Sequence, residues 1–228
     1  NYTRNGVSIS RYEDPFITWE IGKKMNLGLE LNLWNSLELQ VDYFTEHRSN
    51  ILQERAYIPT TMGLQATPQA NVGKAKGGGI DISLDYNHSF SKNLWASMRG
   101  NFTYASSEYV EYEEPDYSDT PWLSRKGKKI SQTWGLVAER LFLDEEEVKN
   151  SPRQTFGDYG AGDIKYKDVN DDGVVDANDY VWDDTPYIPE IMYGFGSTIK
   201  YKAWDFQFMF QGTGNYQIRM YDHHPFCT

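Results

Sequence analysis

The feature that most constrains this chain is an alternation of apolar and polar residues that returns along most of its length. In residues 25–33, MNLGLELNL, every odd position is apolar and every even position is polar or glycine. Residues 37–43, 80–86 and 206–211 repeat the pattern. Successive side chains of a β-strand point to opposite faces, so each segment predicts a strand with one apolar and one polar face. Such strands are typical of outer-membrane β-barrels, which turn one face to lipid and the other to a wet lumen.

Composition agrees with a barrel and excludes other classes. The mean hydropathy is -0.68, and the sequence contains no run of eighteen apolar residues, which excludes a transmembrane helix. A barrel passes that test because half of each strand faces water. Aromatic residues make up 15% of the chain, as expected for girdles at the two membrane interfaces. The net charge of -11 argues against nucleic acid as a partner.

The alternating segments predict an all-β fold, an antiparallel up-and-down transmembrane β-barrel with long extracellular loops. The predicted strands cover residues 19–33, 37–51, 79–90, 94–104, 131–142, 193–201 and 205–212. Very short turns alternate with long links, and the longest loop spans about residues 105–189. Barrels place short turns on the periplasmic side and long loops outside. The aromatic residues predicted to form girdles are Trp19, Trp34, Tyr43, Phe44, Tyr104 and Trp204.

Residues 168–179, DVNDDGVVDAND, have the spacing of a calcium loop. Oxygen-bearing side chains occupy loop positions 1, 3, 5, 9 and 12, and Gly173 at position 6 permits the sharp turn. Calcium is the predicted ion and magnesium the alternative. The predicted ligands are Asp168, Asn170, Asp172, Val174 through its carbonyl, Asp176 and Asp179. The bland interpretation is a solvated acidic turn, but four carboxylates this close repel one another unless a cation is present.

The flanks of this loop are not helical, since Pro186 and Pro189 follow closely. The sequence therefore predicts a structural clamp on an external loop and not a calcium sensor that opens on binding. Position 12 is Asp179 where Glu is usual, as in dockerin-type loops.

Other motifs are weaker. Residues 125–129, RKGKK, form a basic run that could touch lipopolysaccharide or a partner, although a solvated loop is the simpler interpretation. Residues 77–79 are three glycines, predicted to give a bendable strand start where a barrel curves. The pair His223 and His224 is interpreted as solvated chain end, and Cys227 cannot form an internal disulfide. The sequence contains no nucleophile–base–acid set, so an enzyme is not predicted.

Several motifs, in collinear order, resemble the SusC/RagA-like TonB-dependent outer-membrane transporters of Bacteroidota. Residues 162–176, GDIKYKDVNDDGVVD, are similar to that family's GDIKYxDxNGDGxID segment. Residues 18–20 and 26–30 resemble its WE…N(I/L)GLD strand, residues 42–44 its DYF, residues 71–81 its N(V/I)G…NKGxE, and residues 210–212 its FQG. The sequence departs from the pattern at Asp171, where the family has Gly, and lacks the Asn of NKG.

The resemblance implies part of a 22-stranded barrel that imports oligosaccharides or peptides across the outer membrane. It also implies energy from the TonB complex, through a region not in this chain, and a SusD-like surface lipoprotein as the lid, with transporter–lipoprotein pairs forming a dimer. The plug domain, TonB box and last strands are expected to lie outside this chain. The competing hypothesis is a soluble, calcium-stabilised β-module that binds carbohydrate or anchors a protein complex.

Overall fold

The alternating segments form one antiparallel sheet in the computed structural model, which describes residues 8–218; His223, His224 and Cys227 lie outside this range. The strands are β1 Ile21–Leu33, β2 Leu37–Glu54, β3 Gln69–Ser91, β4 Leu94–Glu111, β5 Gln132–Gly135, β6 Ala138–Leu141, β7 Arg153–Gln154, β8 Ile164–Tyr166, β9 Val174–Val175, β10 Val181–Pro186, β11 Ile191–Tyr201 and β12 Trp204–Gly214. The helix α1 is Glu145–Asn150, and 3-10 turns occupy Thr60–Met62, Pro121–Leu123 and Ala177–Asp179. The six-stranded sheet has the order β1-β2-β3-β4-β11-β12, so its long strands follow one another as a meander.

The register of this sheet keeps most of the apolar residues of all six strands on one face. Directly opposed residues of an antiparallel pair point to the same side. One such row across the first five strands is Leu27, Tyr43, Ile80, Tyr104 and Ile191. The next residues along the strands, among them Asp42, Asp81 and Thr103, form the polar face. The period-two prediction is confirmed, because a shift of one residue in any pair would have mixed the two faces.

The apolar face has no protein covering it in the described part of the chain. Leu27 on β1 is 70% exposed, and Phe206 and Phe210 on β12 are also exposed. Contiguous exposed apolar surface of this extent is a site of contact with lipid or protein. Among residues 8–218, no helix is both long and apolar enough to cross a membrane.

The sheet has two different ends. At one end, which we call the turn end, residues 34–36, 92–93 and 202–203 join neighbouring strands in very short turns. At the opposite end, the loop end, residues 55–68 and 112–190 make the long connections. Strands β2, β3 and β4 continue past β1 at the loop end, and β3 begins at Gln69, ten residues before its predicted start at 79.

The extension of β3 explains two errors in the sequence prediction. Pro59, Pro68 and the glycines of residues 53–75 favoured an exposed link, yet bulged pairing with β2 continues to Glu54 opposite Gln69. Asn71 supports this pairing, since its side chain accepts from the Thr18 N–H at 2.8 Å and donates to the Asn50 carbonyl at 2.7 Å. Residues 77–79 therefore lie inside a strand and not at its start.

Gly79 makes room for an aromatic ring on the polar face. Its Cα partners are Phe44 on β2 and Ala105 on β4, and a Cβ placed on it would lie 2.7 Å from Phe44 Cζ. Phe44 was predicted as a girdle residue, which is wrong, because its even position turns it to the polar side opposite Asn26. Tyr43, one residue earlier, lies on the apolar face as predicted.

The predicted strand at 131–142 does not join the large sheet. It breaks after Gly135 into β5, which pairs with β10, and β6, which pairs with β8. Each is only four residues long, too short for the ~9–11 residues that a membrane-spanning strand requires. Both belong to a small folded body within the connection 112–190, whose buried apolar side chains include Phe142 and Val175.

Candidate functional site

The connection between β4 and β11, residues 112–190 and here called the long loop, contains the predicted metal ligands. It is fixed to the sheet at its base by Glu190, whose side chain is 6% exposed. This carboxylate accepts from Ser106 Oγ at 2.5 Å and from Lys129 Nζ at 2.7 Å, and it also accepts from Asn215 Nδ2. These three donors come from β4, the long loop and the residue that follows β12. A single buried carboxylate thus joins the long loop to both neighbouring strand ends.

The basic residues of the run 125–129 form contacts with other residues of the protein. Lys126 pairs with Glu111 at 3.1 Å, Lys128 with Asp184 at 3.1 Å, and Lys129 with Glu190. Arg125 has a different environment, with its guanidinium over the rings of Tyr112 and Trp182 at 4.9 and 4.5 Å. The run therefore makes contacts within the long loop and with the last residue of β4, so it is more than the solvated segment that was predicted.

Residues 168–173 wrap into a tight turn around the first predicted ligand. Asp168 accepts from the backbone N–H of Gly173 at 2.7 Å and of Asp172 at 3.3 Å. Gly173 has a φ of 85°, which favours glycine, and Asp171 has a φ of 57°. The family pattern has glycine where this chain has Asp171, and the positive φ gives the physical reason for that preference.

Asp179, at the last position of the loop, is fully buried. Its carboxylate accepts from the N–H groups of Val169 at 2.8 Å, Asn170 at 3.4 Å and Asp176 at 2.8 Å. Asp176 in turn caps the 3-10 turn by accepting from the Asn178 N–H at 2.7 Å. Asp179 therefore closes the loop by holding its beginning and its end together.

The donor set suits a hard divalent cation, because it consists of carboxylate, amide and carbonyl oxygens. In this structure the oxygens instead accept backbone N–H groups, and Asn170 Nδ2 donates to Asp172 Oδ2 at 3.0 Å. Among residues 8–218, no group of three or more His, Cys, Asp or Glu side chains converges as a metal cluster. The structure thus contains the chemistry and the turn of the predicted site, and the ion stays a prediction.

The surrounding segments hold this turn in place. Val175, at loop position 8, is 1% exposed, and the two-residue strand β9 pairs in parallel with β7. Gln154 on β7 is buried and donates from its side chain to the Ile164 carbonyl at 3.1 Å. On the other side, Trp122 Nε1 donates to the Asn178 carbonyl at 3.0 Å.

The helix α1 adds an ionic network to the same body. Asp144 caps the helix by accepting from the Glu147 N–H at 2.8 Å. The side chain of Glu147 accepts from both terminal nitrogens of Arg140, from the Leu143 N–H at 3.0 Å and from Lys165 Nζ at 3.2 Å. The hydrogen bonds from Arg140, followed by the one from Leu143, lower the pKa of Glu147 from 4.5 to about 2. The helix terminus is thereby tied to β6 and β8.

The aromatic cluster of the long loop was missed by sequence reasoning. Trp134 on β5 stacks with Tyr180 at 5.7 Å between ring centroids and lies 4.8 Å from the ring of Trp182 on β10. Tyr180 directly follows Asp179, so the aromatic cluster adjoins the predicted metal loop. Trp134 is far from Tyr180 and Trp182 in the sequence, so no local motif indicates the cluster. The pairing of β5 with β10 brings these rings together.

Comparisons with known proteins identify the family of this chain. A family model described as TonB dependent receptor-like, beta-barrel matches residues 1–223. The chain belongs to this family, and the six-stranded sheet is part of an outer-membrane β-barrel. The apolar face of the sheet is therefore its lipid face, and the polar face lines the barrel interior.

Relatives of the chain agree with this assignment. The TonB-dependent receptor P26 of Formosa agariphila is 25% identical over 240 residues, which cover 97% of this chain and 23% of that protein. The chain thus spans about a quarter of the length of this relative.

Solved structures show the same fold. The RagAB peptide importer in its open-open state matches 95% of this chain and 23% of its own chain, with a TM-score of 0.63 and 21% identity. The closed-closed state of the same importer matches 92% of this chain and 23% of its own chain, with a TM-score of 0.60 and 20% identity.

Proposed function

We propose that this chain is the part of a TonB-dependent importer that lines the passage for oligosaccharides or peptides through the outer membrane. The observation that supports it is the register of the sheet between its bulges, which gives every long strand one apolar face and one polar face. The family membership and the RagAB-like fold agree with transport and not with an enzyme.

In the proposed transporter, the two partner proteins would act at different places. Energy would come from the TonB complex through a part of the transporter other than these residues. A SusD-like surface lipoprotein would cover the loop end, with pairs of transporter and lipoprotein forming a dimer. The long loop suits this position, because its folded body projects from the loop end and is held there by Glu190. The imported ligand would pass between that body and the polar face of the sheet.

Uptake measurements on the full-length transporter test the proposal. Cells that express it should accumulate a labelled oligosaccharide or peptide only while the inner membrane is energised and TonB is intact. The protein should also fractionate with outer membranes and migrate as a compact species in unheated SDS. Release into the soluble fraction without detergent would instead support the soluble calcium-stabilised module.

We also propose that residues 168–179 bind calcium, or magnesium, as a structural ion. The spacing of the oxygen ligands, the positive φ of Gly173 and the wrapped Asp168 support this proposal. Asp168, Asn170, Asp172, Asp176 and Asp179 would hold the ion with the Val174 carbonyl. The bound ion would supply the positive charge that offsets the repulsion between the carboxylates.

Removal of the ion should loosen the long loop and leave the barrel folded. EDTA or Asp172→Ala should increase protease cleavage near residues 168–179, and added calcium should reverse only the effect of EDTA. Asp158→Ala is the matched control, because Asp158 is an exposed carboxylate of the same body outside the twelve-residue loop. If cleavage is the same with and without calcium, the ion proposal is wrong.

A further inference from the structure

A cleft at the loop end combines aromatic rings with both signs of charge. Its volume is about 460 Å³, and its lining includes Tyr112, Glu113, Glu114, Arg125, Trp134 and Trp182. A wider cleft of about 890 Å³ adjoins it and shares Tyr112, Glu113 and Glu114. Because they share these lining residues, the two clefts form one opening at the loop end, next to the last residues of β4. Ligand sites commonly have this size and this mixture of apolar walls with a few polar groups.

The aromatic side of the cleft is a fixed platform. Trp134 is 40% exposed, yet its ring is positioned by Tyr180 and Trp182. Trp182 is itself fixed, since its Nε1 donates to the Leu123 carbonyl at 3.1 Å and the Arg125 guanidinium covers its ring. A rigid ring with an open face can bind a ligand without a large loss of side-chain entropy.

The charges of the cleft oppose a charged ligand of either sign. Glu113 is paired with Arg55 at 2.7 Å, and Glu114 accepts from the Arg125 N–H at 2.8 Å and from Ser124 Oγ. The Arg125 guanidinium donates to the Tyr112 hydroxyl at 2.6 Å and lies over the rings of Tyr112 and Trp182. An anion near Arg125 would approach Glu113 and Glu114, and a cation near those carboxylates would approach Arg125 and Arg55.

We propose that this cleft is a binding subsite for a neutral pyranose ring of an oligosaccharide ligand. The apolar C–H face of the sugar would stack on Trp134, because an aromatic ring offers a flat apolar surface. Its hydroxyl groups both donate and accept, so they can bind the carboxylates and the guanidinium at once. This assignment rests on the proposed import function and selects the oligosaccharide over the peptide as its substrate class.

Binding of defined ligands to the full-length transporter tests this assignment. Purified protein in detergent is titrated calorimetrically with neutral hexasaccharides, including α-glucan, β-glucan and β-mannan series, and with mixed-sequence hexapeptides. At least one neutral hexasaccharide should bind, and Trp134→Ala should raise the Kd of that hexasaccharide by about 10- to 100-fold. Trp134→Phe should restore part of the affinity, since it keeps a ring in place.

Leu143→Ala is the matched control, because Leu143 is an exposed apolar residue of the same body outside the cleft lining. It should leave the Kd unchanged. Three results would overturn the assignment: no neutral hexasaccharide binds, Trp134→Ala leaves sugar binding intact, or only the peptides bind and lose affinity in Trp134→Ala. Energised uptake of a ligand in cells is measured separately. The sugar-binding assignment can therefore be wrong while the import function is right, and the import function can be wrong while the cleft still binds sugar.

Discussion

The six-stranded sheet and the long loop are stabilised in opposite ways. The sheet leaves its apolar side chains exposed and relies on backbone pairing along long strands, as for Leu27 and Phe206. The long loop and its base bury polar groups instead, namely Gln132, Gln154, Asp179 and Glu190. Lipid completes the stability of the first region, whereas hydrogen bonds and ion pairs within the protein stabilise the second. A change in solvent or in one charge should therefore affect the two regions differently.

The largest expected effect comes from a charge on the lipid face. Ile82→Arg places a cation among Val41 and Phe102, its neighbours in the apolar row. It should destabilise the barrel by about 2–4 kcal/mol, because arginine near the bilayer midplane loses its hydration. Urea unfolding of the full-length transporter in lipid bilayers measures the change.

Ser83→Arg is the matched control on the polar face of the same strand. Its cation would point to the wet interior, so its effect should stay within about 1 kcal/mol. Equal destabilisation by the two variants would mean that the two faces do not have different surroundings.

The next effect concerns the junction between the two regions. Glu190→Ala leaves Lys129, Ser106 and Asn215 without their shared acceptor, which should cost about 2–4 kcal/mol locally. Protease cleavage in residues 112–190 should rise, while heat-modifiable migration of the barrel in SDS persists. Glu190→Gln keeps an acceptor oxygen and should give a smaller effect. Loss of the folded barrel in Glu190→Ala would show that the long loop is not a separate unit.

The sequence predicted the sheet well and the long loop poorly. Period-two alternation states directly which residues share a face, so the sides of Leu27, Ile82 and Phe102 could be predicted. Strand ends were less accurate, since bulges near Asn50 let β2 and β3 continue past the alternation. The long loop has no such alternation, and Gln154 is buried because β7, the strand on which it lies, pairs with β9.

The candidate site shows the same division. The spacing of residues 168–179 and the need for Gly173 are local and visible in the sequence. The buried state of Asp179 and the platform around Trp134 depend on contacts between distant segments, which no single motif records. Tertiary pairing decides these positions, and a local pattern cannot.

A smaller effect is expected from packing inside the sheet. Gly79→Ala adds a Cβ that would overlap the Tyr104 carbonyl and lie 2.7 Å from Phe44 Cζ. The strain should destabilise the barrel by about 1–3 kcal/mol in urea unfolding. Gly100→Ala serves as its control, because the added Cβ would meet its nearest atom at 3.9 Å. If the two variants are equally stable, the close approach at Gly79 is not real.

The smallest effect is a pH response confined to the long loop. The pKa of Glu147 is lowered from 4.5 to about 2. The charged carboxylate therefore stabilises the long loop above pH 4.5, and this stabilisation is lost as the pH falls toward 2. A spin label at residue 143 should become more mobile over this range. Glu147→Gln should remove that transition, whereas Glu146→Gln, at an exposed neighbour, should keep it. An unchanged transition in Glu147→Gln would assign it to another group.

The most direct test of the account is a spin-label accessibility scan of residues 80–86 in the full-length transporter, reconstituted in bilayers with Cys227→Ser. Oxygen, which partitions into lipid, should relax labels at Ile80, Ile82, Leu84 and Tyr86, and a water-soluble nickel chelate should relax those at Asp81, Ser83 and Asp85. Labels at the even positions that neither reagent reaches would place those side chains in a protein core and contradict the account.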